Sequence, residues 1–120
     1  ILYGRKFMKF LLYVFIILSL FIFKTNSIYA LNQDEETLLD ASIFGDDDIV
    51  EKILEKNIDI NIQDDVGNTA LILAAMEGHT KVVALLLNSD ADKSIVNKHG
   101  NNALFYARQR NHRNIIKLLE

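Results

Sequence analysis

The hydrophobic residues of this chain follow two patterns, one in its first quarter and another in the remainder. Residues 10–23 form an unbroken apolar run, bounded by Lys9 and Lys24. Since a helix needs about 20 apolar residues to cross a bilayer, this run is short for a membrane span and has the length of a signal-peptide core. The pattern therefore predicts a hydrophobic N-terminal helix that acts as a targeting segment, with residues 1–30 as a signal peptide or membrane anchor.

The residues on either side of the run support this interpretation. Arg5 and Lys6 lie in a basic stretch before it, and the small residue Ala30 follows it. Both features are typical of signal peptides. We expect an exported protein, periplasmic or secreted, that is cleaved near Ala30, with Met8 as a candidate translation start. The alternatives are an uncleaved segment that anchors residues 31–120 to a membrane and a helix that is buried in a core.

Residues 31–120 contain a pattern that recurs every 33 residues, which is the separation of Gly67 from Gly100. His79 corresponds in the same way to His112. The other residues with a counterpart one interval later are Ala70, Leu71, Ala74, Val82, Val83, Leu85 and Leu86. Counting back by the same interval from Leu71, Ala74, Gly78, Val82, Val83, Leu86 and Leu87 leads to Leu38, Ala41, Gly45, Ile49, Val50, Ile53 and Leu54. Three units therefore fill this part of the chain, at about residues 34–63, 64–96 and 97–120.

Each unit has the pattern of two short helices. In the middle unit, Leu71, Ala74 and Ala75 lie on one helical face, and residues 82–87 form a second helix that is apolar around most of its circumference. Helices this short are not stable alone, so stacking of neighbouring units must supply the burial, which makes the array a solenoid.

The ends of these helices and the turns before them have their own residue signals. Thr69 and Asn102 come one residue before the apolar pattern of a first helix and are expected to cap its free N–H groups. Gly67 and Gly100 lie in polar stretches that predict tight turns, where glycine accepts a positive φ.

The middle unit resembles the ankyrin repeat. Residues 64–87 contain the pattern Asp-x-x-Gly-x-Thr-Ala-Leu-x-x-Ala-Ala-x-x-Gly-His-x-x-Val-Val-x-Leu-Leu-Leu, with Ala70 and Ile72 where the family has proline and histidine. The resemblance implies an all-α solenoid of three helix-turn-helix units with short hairpin loops, preceded by the hydrophobic N-terminal helix. It also implies that the first unit is an N-terminal cap and that the third, where Arg108 replaces Ala75, is a C-terminal cap.

Composition and charge exclude several classes of function. The chain has no cysteine, which excludes a disulfide scaffold, a thiolate zinc site and a cysteine nucleophile. Residues 31–120 contain 16 acidic and 9 basic residues, so a nucleic-acid partner is not expected. No catalytic or phosphate-binding motif is present, and we expect neither enzymatic activity nor a cofactor or metal. The many Ile, Lys and Asn residues favour a bacterial source.

The acidic run and the histidines have structural explanations. Residues 46–48 are all aspartate and precede a helix, where carboxylates cap N–H groups and complement the helix dipole. His79 and His112 occupy equivalent repeat positions, so we interpret both as structural. His99 falls at a predicted loop tip, where it is either a solvated residue or a contact residue.

The resemblance implies that the chain binds another protein through its loop tips and the exposed sides of its first helices. Phe44 is the sharpest candidate, because aromatic residues anchor interfaces and the equivalent residues are Glu77 and Arg110; burial under residues 31–39 is the alternative. Ile43 lies beside it in the equivalent column. The candidate contact residues are Phe44, Asp65, Val66, Asn68, Met76, Glu77, Lys98, His99, Asn101, Gln109 and Arg110.

Charge is sorted along the array. Residues 31–65 contain 12 acidic and 2 basic residues, whereas residues 66–120 contain 4 acidic and 7 basic residues. This asymmetry predicts an electrostatic dipole along the array, which would orient a charged partner or favour head-to-tail association. The alternative is that the acidic residues only form a solvated surface.

A further alternative is a degenerate or truncated repeat protein with no stable partner, since three repeats are about the minimum for a solenoid.

Overall fold

The computed structural model describes the backbone of residues 2–120 and the side chains of residues 4–22 and 33–120. The chain divides into two compact units, residues 1–32 and residues 33–120, and helix α1 (Leu2–Phe44) contributes residues to both. The predicted cleavage position, Ala30, lies outside the residues whose side chains are described.

In the first unit, the described side chains belong to the hydrophobic segment. Large apolar side chains from Phe7 to Ile22 are exposed, with Phe15 exposed to 75%. Across the described parts of the chain, no helix combines the length and hydropathy that crossing a membrane requires.

The second unit is built from the end of α1 and from helices that recur at the interval predicted from the sequence. These helices are α2 (Asp47–Leu54), α3 (Ala70–Glu77), α4 (Thr80–Asn88), α5 (Ala103–Gln109) and α6 (Arg113–Leu119). Helix α3 packs against α4 within the middle repeat and against α5 of the next repeat, and α4 packs against both α2 and α6. This arrangement confirms the all-α repeat solenoid, because first helices stack on first helices and second helices on second helices.

The predicted helix caps are present. The Thr69 hydroxyl accepts a hydrogen bond from the N–H of Ile72 at 3.2 Å, and the Asn102 side chain accepts one from the N–H of Phe105 at 2.9 Å. Asp46 caps α2 in the same way. Each cap satisfies one N–H group that the helix itself leaves free.

Each first helix ends in a left-handed residue that turns the chain into the second helix. Gly45 and Gly78 occupy this position with φ of 75° and 86°, and Asn111 occupies it in the third repeat with φ of 59°. Glycine adopts this conformation without steric cost, and asparagine is among the few other residues that tolerate it. The third repeat therefore keeps the same turn, although it has Asn111 in place of glycine.

The core runs through all three repeats as one cluster. Its fully buried members include Leu38, Val50, Leu71, Leu86 and Ile115. Ile72, which stands where the family pattern has histidine, is only 1% exposed. An apolar side chain here adds to the core without placing a polar atom in it, which is favourable where a buried polar group would need a partner.

The third repeat, which the sequence predicts to be a C-terminal cap, has both polar and apolar residues at its surface. Arg108 is exposed, as expected of a cap, but Phe105 and Leu118 are also 44% and 41% exposed.

Candidate protein-interaction surface

The C-terminal ends of the first helices bring together one column of candidate contact residues, which we call the helix-end column: Phe44, Glu77 and Arg110. Glu77 and Arg110 form an ion pair with 3.2 Å between Oε1 and Nη1. Phe44 is 78% exposed, which rules out the alternative of its burial under residues 31–39. The column thus consists of an exposed aromatic ring and an exposed ion pair.

The residues before this column are more buried than the sequence alone indicates. In α3, residues 70–75 are all buried, Met76 is half-buried and only Glu77 is exposed. Ile43, the equivalent of Met76 in the first repeat, is 36% exposed, and Gln109 in the third is exposed. The middle repeat therefore offers a partner only the last turn of its first helix.

Two histidines bond to the residues that immediately precede Phe44 and Glu77 of the helix-end column. The His79 Nε2 lies 2.8 Å from the main-chain oxygen of Ile43, and the His112 Nε2 lies 3.2 Å from that of Met76. Each ring thus reaches back to the first helix of the preceding repeat. These contacts support the structural interpretation of both histidines.

The loop tips of the second and third repeats, residues 64–68 and 97–101, are joined by cross-loop hydrogen bonds. The N–H of Lys98 donates to the main-chain oxygen of Val66 at 3.0 Å, and the Asn97 side-chain amide donates to Asn68 Oδ1 at 2.9 Å. Gln63 adds a third bond, from its amide to the main-chain oxygen of Val96 at 3.4 Å. The two loops therefore form one connected ridge.

Asn68 is a correction to the predicted contact residues. Its side chain is buried, because it accepts the bond from Asn97 and donates to Asp64 Oδ2 at 3.2 Å. Sequence reasoning placed it at an exposed tip because loop polarity does not reveal which side turns toward the next repeat.

The other loop-tip candidates are available to a partner. Asp65, Lys98 and His99 are exposed, Val66 is 42% exposed, and Asn101 is half-buried. Helix α3 has 8 residues and is therefore about 12 Å long, and it separates the tip of the second repeat from the helix-end column. The candidate residues thus form two groups, one at each end of the first helices.

Sequence reasoning missed the two residues that shape these tips. Asp64 Oδ1 accepts hydrogen bonds from the N–H groups of Val66 and Asn68 at 2.9 and 2.8 Å. Asn97 Oδ1 accepts the equivalent bonds from His99 and Asn101 at 3.0 and 3.1 Å. Aspartate and asparagine favour turns through such bonds, so their recurrence at equivalent repeat positions is the signal that identifies them.

A second ion pair joins the second helices of neighbouring repeats. The Lys81 ammonium binds the Asp47 carboxylate. This hydrogen bond holds the pKa of Asp47 below its usual range and raises the pKa of Lys81. Asp92, by contrast, has its pKa lowered by hydrogen bonds from the hydroxyl and N–H of Ser94. Asp47 is the first residue of α2, and Asp92 accepts hydrogen bonds from Ser94, two residues later. Ionisation of each carboxylate therefore stabilises the structure around it.

Comparison with known proteins adds one finding. A family model of ankyrin repeats, in three copies, matches residues 18–120. No curated protein matches the chain.

Among the residues that the structure describes, no three side chains of the kinds that bind metals form a cluster.

Proposed function

We propose that this chain, which belongs to the ankyrin repeat family, binds another protein through the helix-end column and the exposed loop tips. Ankyrin repeats are generally protein–protein interaction modules and are typically non-catalytic. The observation that carries the proposal is Phe44. Phe44 is 78% exposed, so the stability of the core does not require an aromatic residue there, whereas tyrosine and tryptophan, also aromatic, are enriched among the residues that contribute most to binding at interfaces.

The charges around Phe44 favour a partner with a basic rim. Asp40, Asp46 and Asp48 are exposed near it in sequence, and residues 31–65 contain 12 acidic and 2 basic residues. A partner that packs an apolar side chain against Phe44 gains affinity from the burial of apolar surface. If it also places cations around this contact, complementary charge speeds its association with the acidic surface. At the other end of the column, Arg110 is already neutralised by Glu77.

Site-specific photo-cross-linking tests this binding surface. We would replace Phe44 in the full chain with a photoreactive phenylalanine and compare it with the same residue at position 88, where Asn88 is exposed on α4. The proposal predicts one discrete adduct from position 44 that disappears when Glu77 and Arg110 are both replaced by alanine or when unlabelled chain competes. Equal adducts from positions 44 and 88, or none from position 44, would contradict it.

We further propose that residues 1–30 direct export and are removed near Ala30. The basic residues Arg5, Lys6 and Lys9 before the apolar run support this. N-terminal sequencing of the protein from its source should give a mature chain that starts at Leu31. An intact N-terminus in the membrane fraction would instead favour the anchored alternative.

A further inference from the structure

The turns between the first and second helices follow one another along one edge of the array, and their charge changes from repeat to repeat. We call this edge, which consists of residues 43–48, 76–81 and 109–114, the turn edge. Residues 43–48 contain three acidic and no basic residues, residues 76–81 contain one of each, and residues 109–114 contain two basic and no acidic residues. With the histidines neutral, the formal charge therefore changes from −3 through zero to +2 along the edge.

The turn edge is exposed in every repeat, including the middle one, which has a neighbour on each side. Two sets of three equivalent residues are exposed throughout, namely Phe44, Glu77 and Arg110, and Asp48, Lys81 and Asn114. The stacking of repeats therefore does not cover these positions, and their exposure is a property of the repeat itself. A second protein can reach the whole edge.

Two opposite charges of the turn edge are left without an ion pair inside the chain. The ion pairs of this edge use the carboxylates of Asp47 and Glu77. Asp48 and Arg113 are exposed, and neither forms an ion pair with any residue that the structure describes. The first repeat therefore presents an unpaired carboxylate, and the third presents an unpaired guanidinium.

We propose that two copies of the chain pair through their turn edges in antiparallel orientation, about a two-fold axis that crosses the edge at the middle repeat. This axis places residues 43–48 of each copy against residues 109–114 of the other. The acidic and basic parts of the edge then meet twice. A parallel pair would place acidic against acidic and basic against basic, so charge selects the antiparallel arrangement.

The same axis keeps first helices opposite first helices and second helices opposite second helices. Phe44 therefore lies opposite Arg110 of the second copy, where a guanidinium can stack on the exposed ring. Asp48, at the start of α2, lies opposite the start of α6, where Arg113 of the second copy is found. Both contacts form twice in the dimer, as an isologous interface requires.

The middle repeat and the size of the edge limit the strength of this pairing. Near the axis Glu77 and Lys81 meet their own counterparts, but each is already paired within its chain, with Arg110 and Asp47 respectively. Packed helices lie about 8–10 Å apart, so three repeats span only about 20 Å, and the contact is smaller than that of most stable dimers. We expect a weak, reversible dimer that dissociates further at high salt.

This pairing goes beyond the binding of another protein proposed above, and it competes with that binding. Phe44 and Arg110 of the helix-end column lie inside the paired edges, so a dimer covers the surface that the other protein needs. Experiments on the purified chain alone measure the pairing in the absence of that protein. Either proposal can therefore fail while the other stands.

Cross-linking between single-cysteine variants of the purified full-length chain tests the arrangement. The chain has no cysteine, so Ile43→Cys, Gln109→Cys and Thr80→Cys each introduce one thiol without removing a charge. A size tag on one chain distinguishes the products of a short bis-maleimide. Antiparallel pairing predicts several-fold more 43–109 product than 43–43 or 109–109 product, together with an 80–80 product at the axis.

Each other mode of association gives a different set of products. A parallel pair gives the 80–80 product without an excess of the 43–109 product, whereas head-to-tail stacking gives the 43–109 product without the 80–80 product. Association through the exposed apolar segment of α1 gives no preference among the positions. Any of these three results, or the absence of all products, would overturn the proposal.

A charge exchange tests the contact between Asp48 and Arg113. Asp48→Lys and Arg113→Glu each turn two attractive contacts of the dimer into repulsive ones, so each should raise the dissociation constant measured by sedimentation equilibrium about tenfold. A chain that carries both substitutions should dimerise as the unchanged chain does, because each copy then offers a cation at position 48 and a carboxylate at position 113.

Glu55→Lys is the matched control for Asp48→Lys. Glu55 is exposed at the other end of α2, outside the turn edge, and its replacement changes the net charge by the same amount. It should leave the dissociation constant unchanged. If the double variant dimerises no better than the single variants, in chains whose circular dichroism is unaltered, or if Glu55→Lys weakens the dimer as much as Asp48→Lys, the proposal is overturned.

Discussion

The imidazole of His79 bonds the main-chain oxygen of Ile43, and this contact crosses from one repeat to the next at 2.8 Å. The ring also lies over Gly45, where a Cβ would come within 2.4 Å of Nδ1. Histidine and glycine therefore act together, since the glycine provides both the left-handed turn and the space for the ring. His112 and Gly78 repeat the arrangement one unit later.

We expect His79→Leu to lower the free energy of unfolding by about 1 kcal/mol, because the substitution removes one hydrogen bond between repeats while it keeps most of the side-chain volume. Urea denaturation followed by circular dichroism measures this loss. His99→Ala is the matched control, since His99 is exposed at a loop tip, and it should change stability by less than about 0.5 kcal/mol. A larger effect at His99 would show that the loop is placed wrongly.

Two glycines with similar φ should differ in their tolerance of alanine. Gly78 and Gly100 have φ of 86° and 77°, but a Cβ at Gly78 would lie 2.7 Å from His112 Cε1, whereas a Cβ at Gly100 would meet nothing within 4 Å. Gly100→Ala should cost about 1 kcal/mol, the cost of a left-handed non-glycine residue, and Gly78→Ala should cost more. Urea denaturation of the two variants measures the difference.

The excess at Gly78 has a direct test, because the clash involves one side chain. In a chain that carries His112→Ala, the cost of Gly78→Ala should fall to that of Gly100→Ala. If the two costs stay different, the difference arises from the backbone and not from contact with the histidine ring.

The parts of the fold that sequence reasoning predicted correctly depend on local chemistry that recurs in each repeat. Thr69, Asn102 and Asp46 cap helices because their side chains reach N–H groups within the same turn. Because the repeat interval is constant, a helix start recognised in one repeat predicts a helix start at the equivalent position of the other repeats.

The parts that it missed depend on contacts between repeats. Asn68 is polar and lies in a loop, yet it is buried because Asn97 of the next loop donates to it. Phe105 is 44% exposed, although its equivalent in the middle repeat, Ile72, is 1% exposed. In both cases the residue pattern within one unit does not predict how deeply the side chain is buried.

The loop tips offer a prediction that separates two adjacent aspartates. Asp64 accepts hydrogen bonds from two main-chain N–H groups and from the Asn68 amide, whereas Asp65 is exposed. Asp64→Ala should destabilise the array by about 2 kcal/mol, because three hydrogen-bond donors, two of them partly buried, lose their acceptor, and Asp65→Ala should have little effect. Asp64→Asn should be tolerated better than Asp64→Ala, since Asn97 forms the equivalent turn in the third repeat. Thermal melts of the three variants measure the order, and equal losses for Asp64→Ala and Asp65→Ala would contradict it.

The ion pair of Asp47 with Lys81 predicts a pH dependence with a defined sign. The hydrogen bond lowers the pKa of Asp47 from 3.8, so its stabilising effect is complete above that value and is lost as the pH falls through the lower pKa of the folded chain. The pKa of Lys81 is raised from 10.5 by the hydrogen bond to Asp47. The stabilisation that Lys81 contributes is therefore complete below pH 10.5, and it is lost as the pH rises through the higher pKa of the folded chain.

Carboxyl-carbon NMR titration of Asp47 tests the cause of this shift. In Lys81→Met the pKa of Asp47 should rise toward its ordinary value, because the hydrogen bond that stabilises the ionised form is gone. Asp92 is the internal control, since its own low pKa comes from Ser94 and should not respond to Lys81→Met. Ser94→Ala should give the reciprocal result, raising the pKa of Asp92 and leaving Asp47 unchanged. If Lys81→Met shifted both carboxyls together, the cause would be the overall charge of the array, and the direct pairing of Asp47 with Lys81 would be excluded.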